Sequence, residues 1–414
     1  MLAQAIEKRP YAITGGEPLF ESPLHVGMPN IGSKKEILRK IEGVLDRRML
    51  SNGGPMLQEF EQKVADIANV RHCIAMANGT IALEIAIRAL GMKGEVIMPS
   101  MTFVATAHAL QWQRITPVFC DIDENLHHID SSKIEALITP RTTGILAVNL
   151  WGRPCYVERL EAIAKAHNLK LLFDSAHAFG ASYKGRMVGQ FGDAEVFSFH
   201  ATKFLNTFEG GAVLTNDDEL AEKIRLMKNF GFNGRDSVGY IGINGKMNEV
   251  QAAMGLVSLD SMECFIDHNR RNYLAYHKGM KSVPGVKLLE YQLEEKNNYQ
   301  YIIVEVDEAV FGLTRDELVA VLSAENVDVR RYFYPGCHRM EPYQSYFPNA
   351  FYLLPVTEKV LGRVIAFPTG GVVTREAINL IISLLHSIQN DSHYLKQQLS
   401  VQEVVSEHRE QCMA

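Results

Sequence analysis

Asp174 and Lys203 stand about thirty positions apart, each beside an apolar run that reads as a strand. Asp174 ends the run KLLFD, and Lys203 lies just past EVFSFH, ahead of the pair Gly210-Gly211. An acid and an amine placed in this way suit pyridoxal phosphate (PLP). The amine condenses with the cofactor aldehyde, and the carboxylate keeps the pyridine nitrogen protonated so that the ring accepts electrons. Spacing alone is weak support, because acids and lysines are common near strand ends. The setting adds to it. Residues around Lys203, FHATKFLNTF, are largely aromatic or apolar. Partial desolvation there lowers the pKa of an amine and favours the neutral form that attacks an aldehyde. The same amine is then expected to carry a proton between substrate and cofactor carbons. An unpaired carboxylate at the end of a buried-looking run is costly, and a pyridinium N–H would be its partner. A helix cap or an ordinary ion pair is the plainer alternative for Asp174.

Four further places could serve the same chemistry. Asn78-Gly79-Thr80-Ile81 joins a strand to the apolar helix that runs on through IALEIAIRAL. Backbone N–H groups of Gly79, Thr80 and Ile81, a hydroxyl and the positive end of the helix dipole would hold a phosphate. A simple helix cap reads the same way. Phe103 follows the strand-like EVIMPS, where a ring can lie flat on a pyridine or merely fill a core. His177, three residues past Asp174, falls on the same face if the chain continues as a helix, and could donate to a phenolate oxygen. Ser198 carries a hydroxyl suited to a phosphate oxygen; an ordinary strand serine looks no different.

The elements that must position these groups alternate. CIAMA, EVIMP, TPVFCD, TGILAVN, LKLLFD, EVFSF and GGAVLT are short apolar runs, separated in most cases by amphipathic helical stretches. Such alternation predicts an α/β fold with a mostly parallel sheet between helices, and ligands at the carboxyl ends of its strands. All the residues above fall at such ends. Before the sheet, residues 1–30 read as an arm, and Ser33 caps a helix whose apolar stripe is Ile37, Ile41 and Leu45. A second helix is expected from Gln58 to Ala68. One long helical region should span 248–281, and NYQYIIVEV, VDVRRYFY and two helices follow as a smaller α+β unit. We expect a large domain over 31–265, a small C-terminal domain over 266–391 and a charged tail over 392–414.

Size and charge narrow the class. A chain of 414 residues with 47% hydrophobic and 22% charged residues is an ordinary globular protein of more than one core. Its net charge of -6 gives no support to a nucleic-acid surface. Six scattered cysteines without a C-x-x-C pair imply reduced thiols, with neither a disulfide framework nor a metal site. Neither a signal-peptide core nor a membrane-length apolar run is present, so a cytoplasmic protein is expected.

Taken whole, residues 171–211 resemble the DegT/StrS family of PLP-dependent sugar aminotransferases, which carry an Asp-x-Ala-(Gln/His)-Ala block, then Ser-Phe-x-x-x-Lys and Gly-Gly. GINGKMNEVQAAMGL (242–256) is similar to a second family block, with Gly245 where an aromatic is usual. The resemblance covers about residues 25–390. It implies the PLP-dependent transferase fold of type I and a homodimer with shared active sites. It also implies a cofactor phosphate at Gly79-Thr80, an aromatic stacked on the cofactor at Phe103, and Asn244 reaching the partner subunit's cofactor phosphate.

L-glutamate would be the amino donor and a keto sugar nucleotide the acceptor, best matched by dTDP-4-keto-6-deoxyglucose of the viosamine and desosamine branch. The alternatives are a 3-keto sugar, GDP-4-keto-6-deoxymannose, a sugar dehydratase or a non-catalytic scaffold. Dehydratases of this type carry histidine in place of the lysine, and Lys203 argues against them. VRRYFYPGCHRMEPY (329–343) mixes aromatic rings and cations that suit a nucleotide, and Tyr334 and His338 are its expected substrate contacts.

Overall fold

A computed structural model describes residues 9–401. Its central sheet has seven strands: β1 (His72–Met76), β2 (Glu95–Pro99), β3 (Thr116–Cys120), β4 (Thr142–Val148), β5 (Lys170–Asp174), β6 (Ala194–Ser198) and β7 (Gly211–Thr215). They are the seven runs that the apolar pattern predicts. The order across the sheet is β1-β7-β6-β5-β4-β2-β3. Strands β2 to β6 pair in parallel, whereas β7 runs antiparallel to both β6 and β1.

Alternate strand residues enter two separate cores, one on each face of the sheet. Leu171, Phe173 and Phe197 join the core on one face, and Leu172, Val196 and Val213 join the other. The first face is covered by α2 (Pro55–Ala68), α5 (Val157–Ala166) and α7 (Glu249–Asp260) through Phe60, Leu160 and Leu256. The second is covered by α3 (Gly79–Ala89), α4 (Val104–Gln111) and α6 (Asp218–Met227) through Leu83, Leu110 and Ile224. A sheet buried on both faces needs near-continuous apolar strands, which is why these runs lack polar alternation.

Ahead of the sheet, Ser33 caps α1 (Lys34–Arg47) by accepting the Glu36 N–H at 3.3 Å. Its apolar stripe differs from the expected one: Val44 is fully buried and Leu45 faces outward. The long helical region divides at Ser261 into α7 and α8 (Met262–Met280). The Ser261 hydroxyl donates back to the Val257 carbonyl at 2.9 Å, one of the local bonds that compete with a straight helix. Glu249, in the first turn of α7, is buried. Its carboxylate accepts the Met56 and Leu57 N–H groups, both at 3.0 Å, and so caps α2.

Helix α8 leaves Met262 in the first core and carries Tyr273, Tyr276 and Met280 into a third. That third core belongs to a three-stranded antiparallel sheet of β8 (Val286–Leu288), β9 (Ile302–Val306) and β10 (Val364–Phe367), with α9 (Arg315–Ala324) and α10 (Arg375–Asn390) packed on it. The expected strand 327–334 is shorter than its pattern suggests. Only Val327–Asp328 pairs, parallel to Leu24–His25, and Arg330 makes a single bridge to Ala366. Beyond it the chain turns, with the Tyr334 N–H donating to Arg331 O and the Gly336 N–H to Phe333 O, each at 2.7 Å. The described part of the arm folds back on this unit, burying Tyr11. Residues 392–401 of the expected tail continue as helix with Leu395 in the core. Residues 1–8 and 402–414 lie outside the described residues.

Candidate active site

The carboxyl ends of β1, β2, β4, β5 and β6 open into a cavity of about 620 Å³. Gly79, Thr80, Ile81, Phe103, Asp174, His177, Ser198 and Lys203 all line it. A larger groove of about 1080 Å³ opens beside β9. Several of its charged groups pair with one another, as Glu124 does with Lys359 and Arg363, and it contains none of those residues.

Asp174 ends β5 as a buried side chain. Oδ2 accepts the Thr106 hydroxyl at 2.8 Å and Oδ1 the Ala176 N–H at 3.1 Å. Burial raises its carboxyl above the usual range, while those two donors and the charge of Lys203 pull it back. Lys203 sits in the irregular loop between β6 and β7. Its amine makes no hydrogen bond or ion pair among the described residues. Burial pushes it down to about 8, opposed by the Asp174 charge.

His177 does not lie on a helix. After β5 the chain enters consecutive turns, with Gly180 at φ +77° and Ala178 N–H donating to Ser175 O at 2.9 Å. Asn298 fixes these turns from the small unit by donating to His177 O at 2.8 Å and Phe179 O at 3.0 Å. The imidazole lies nearly parallel to the rings of Trp151 and Phe333, with centroids 6.2 and 5.8 Å away. Burial and then the charge of Lys203 hold it well below its ordinary pKa, so the ring is neutral.

At the start of α3, Asn78 accepts the Ile81 N–H at 2.9 Å as the helix cap. The Gly79 and Thr80 amides, which have no partner within the helix, remain available at the cavity. Gly79 packs against Ser198, since a Cβ there would stand 3.1 Å from the serine Cβ. Phe103 is 59% exposed at the mouth, with its ring 6.3 Å from that of Phe333.

Two expected substrate contacts lie elsewhere, and Asn244 is expected only at the partner subunit's site. Asn244 is exposed on the segment after α6, away from this chain's cavity. Tyr334 faces outward with Arg315 and Arg331 over its ring at 4.8 and 5.1 Å. His338 is buried between Ser100 Oγ at 2.6 Å and Glu358 Oε1 at 2.5 Å, a bridge from β2 to the small unit. The stretch 329–343 does reach the cavity, but through Arg330, Tyr332 and Phe333. Sequence reading also passed over Thr106 and Tyr301. Thr106, in the first turn of a helix beside the site, carried a usable signal; Tyr301, inside an apolar strand run, carried none.

The DegT/DnrJ/EryC1/StrS aminotransferase family profile matches residues 32–386. The dTDP-4-amino-4,6-dideoxy-D-glucose transaminase of Shigella dysenteriae is 37% identical over 374 residues, covering 89% of this chain and 100% of the relative. The GDP-perosamine synthase of Caulobacter vibrioides is 36% identical over 304 residues, covering 72% and 81%. Among solved structures, DesI in the presence of its TDP-sugar product superposes with a TM-score of 0.87 and 44% identity over 96% of this chain and 99% of that one. The chain belongs to the DegT/DnrJ/EryC1/StrS aminotransferase family.

Proposed function

We propose that this protein is a PLP-dependent aminotransferase that moves the amine of L-glutamate to a keto sugar nucleotide. The acceptor we favour is dTDP-4-keto-6-deoxyglucose, which gives dTDP-4-amino-4,6-dideoxyglucose. The observation that carries the reading is the meeting of Asp174 and Lys203 in one cavity with the open N-terminus of α3.

The donor set suits the cofactor. A desolvated carboxylate with two hydrogen bonds makes no ion pair among the described residues, and a pyridinium N–H would supply one. The Gly79 and Thr80 amides and the Ser198 hydroxyl form a cradle for a dianionic phosphate. Phe103 offers a ring face, and neutral His177 offers an N–H. When bound, the cofactor supplies an aldehyde and an electron sink. The chain supplies the rest. Lys203, with its pKa near 8, is neutral in a useful fraction at physiological pH. It removes the proton from the donor's α-carbon and returns one to the carbon where the ring chemistry needs it. Thr106 holds the Asp174 carboxylate in place, so that its charge stays aimed at one point.

We infer a homodimer that shares its sites. Asn244 lies in an exposed segment with Phe230, Phe232, Tyr240, Ile241 and Ile243, an apolar surface that a second copy would cover. We also place the enzyme in the cytoplasm, where the free thiols of Cys73, Cys120, Cys155, Cys264 and Cys337 stay reduced.

The test is product mass after incubating the PLP-loaded protein with glutamate and a panel of keto-sugar nucleotides. An amino sugar from dTDP-4-keto-6-deoxyglucose is the expected outcome. Preference for GDP-4-keto-6-deoxymannose, which the similarity to a GDP-perosamine synthase keeps in view, would overturn the nucleotide assignment alone. No amine taken from glutamate would overturn the reaction.

A further inference from the structure

Arg153 follows the Trp151-Gly152 turn after β4 and carries a charge that no described side chain answers. Its Nη1 is buried without a hydrogen-bond partner, and the guanidinium makes no ion pair among the described residues. Burial lowers its pKa from the ordinary arginine value, opposed by Tyr291, Tyr273, Tyr156 and Asp123. Those groups do not pair with it. The Tyr291 hydroxyl donates to Trp151 O at 3.0 Å, and Asp123 accepts the Asn125 and Leu126 N–H groups, both at 2.9 Å. Nearby His128 cannot neutralise it either, since burial and then the Arg153 charge push that imidazole down to about 3. Buried Arg315 shows the usual arrangement, with Asp316 and the Leu361 carbonyl each at 2.8 Å. A desolvated cation without a counter-charge is costly, and an anion from solution removes that cost.

The guanidinium lines a pocket of about 20 Å³, room for one water-sized body and far too little for a nucleotide or an amino acid. The pocket shares no lining residue with the cavity of Asp174 and Lys203. Tyr156 and Gln292 line it too; their side chains have no hydrogen-bond partner among the described residues, and each can donate. Glu295, the one acid in its wall, is already engaged by the Ser182 hydroxyl and the N–H groups of Lys184 and Gly185. We propose that Arg153 binds a chloride ion, with Tyr156 and Gln292 as further donors. The ion ties the loop after β4 to the 292–297 segment of the small unit. Ser182 in the same wall follows the turns of His177, and Asn298 next to that segment donates to His177 O at 2.8 Å. The chloride therefore braces those turns from behind.

The test uses the PLP-loaded enzyme. Crystals soaked in sodium bromide should show an anomalous peak against the Arg153 guanidinium. In solution, replacing gluconate by chloride at constant ionic strength should raise the unfolding temperature saturably, by about 1–3 °C. R153M should lose that rise, and its retained cofactor absorbance checks that the variant is folded. Density without an anomalous signal, which marks a water, would overturn the proposal, as would a carboxylate of a second copy seated on Arg153. An equal chloride response in R153M and wild type would overturn it as well. None of these readouts involves turnover, so the proposed function stands or falls separately.

Discussion

The backbone N–H of Trp151 donates to Nδ1 of His177 at 3.3 Å, from a tryptophan held at φ +62°. A bulky residue in the left-handed region is unusual and persists only where its surroundings hold it. Here the indole stacks on Phe333 at 5.5 Å and its Nε1 donates to His127 at 3.3 Å. Because Nδ1 accepts, the neutral imidazole carries its proton on Nε2. The ring is thereby a donor of fixed identity. His177→Gln, which keeps an N–H donor, should hold kcat within about tenfold of wild type. His177→Leu should lose about 10- to 100-fold, the worth of one hydrogen bond to a charged oxygen. Steady-state kinetics and the cofactor's absorption maximum check both; equal rates in the two variants would remove the donor role.

Lys203 makes a pH prediction whose sign is fixed by burial. Its pKa is lowered to about 8, so the neutral, reactive amine gains population as pH rises through that value. The rate at which the apoprotein takes up PLP should climb about tenfold from pH 7 to pH 9 and then level. Stopped-flow absorbance measures it. A rate still climbing steeply beyond pH 10 would return the amine to its ordinary value. Lys203→Ala should show no turnover at any pH.

Gly211 begins β7 directly against the start of α3. A Cβ there would stand 2.5 Å from the Asn78 carbonyl carbon and 2.6 Å from the Gly79 nitrogen. Both are backbone atoms that cannot swing aside. Gly211→Ala should therefore destabilise the protein by about 1–3 kcal/mol and weaken retention of cofactor. Denaturant unfolding and dialysis against buffer test the two parts. A variant as stable and as well loaded as wild type would show that the contact yields.

Asn244 gives a test of the shared site. Asn244→Ala and Lys203→Ala proteins should each be inactive alone. After unfolding, mixing in equal amounts and refolding, half of the dimers pair one of each and contain one complete site. Activity should return to roughly a quarter of wild type. A mixture no better than its components would place Asn244 outside the site.

Much of this was legible because chemistry and pattern coincide at the sheet's edge. Asp174, Ser198 and Lys203 follow runs that can only be buried strands. What stayed hidden depends on contacts between distant segments. Nothing local to Arg330 or Tyr301 says which way they face, because that is set by how the small unit docks on the sheet. His338, beside aromatic rings and arginines, reads as a substrate contact, yet Ser100 and Glu358 use both its nitrogens. Glu249 sits in the block 242–256, and its carboxylate caps the start of a helix nearly two hundred residues earlier in the chain. Helical spacing misplaced His177 because glycine and Asn298 dictate turns there.

The reversed strand β7 has a mechanical result. A parallel successor to β6 would have carried the chain back to the opposite end of the strands. Instead Gly211 pairs with Ser198, so the segment carrying Lys203 leaves and re-enters the sheet at the same end, the carboxyl end of β6. It is an arch fixed at both feet, tied inside by Phe199 N–H to Gly210 O at 2.8 Å and Thr207 N–H to Phe199 O at 2.9 Å. An arch of this kind has no slack to share with its neighbours. Inserting or deleting one residue between 199 and 210 would shift the amine itself, while similar changes in the helical crossovers on the sheet's faces would be absorbed. The length of that arch is therefore the dimension of this enzyme least free to vary.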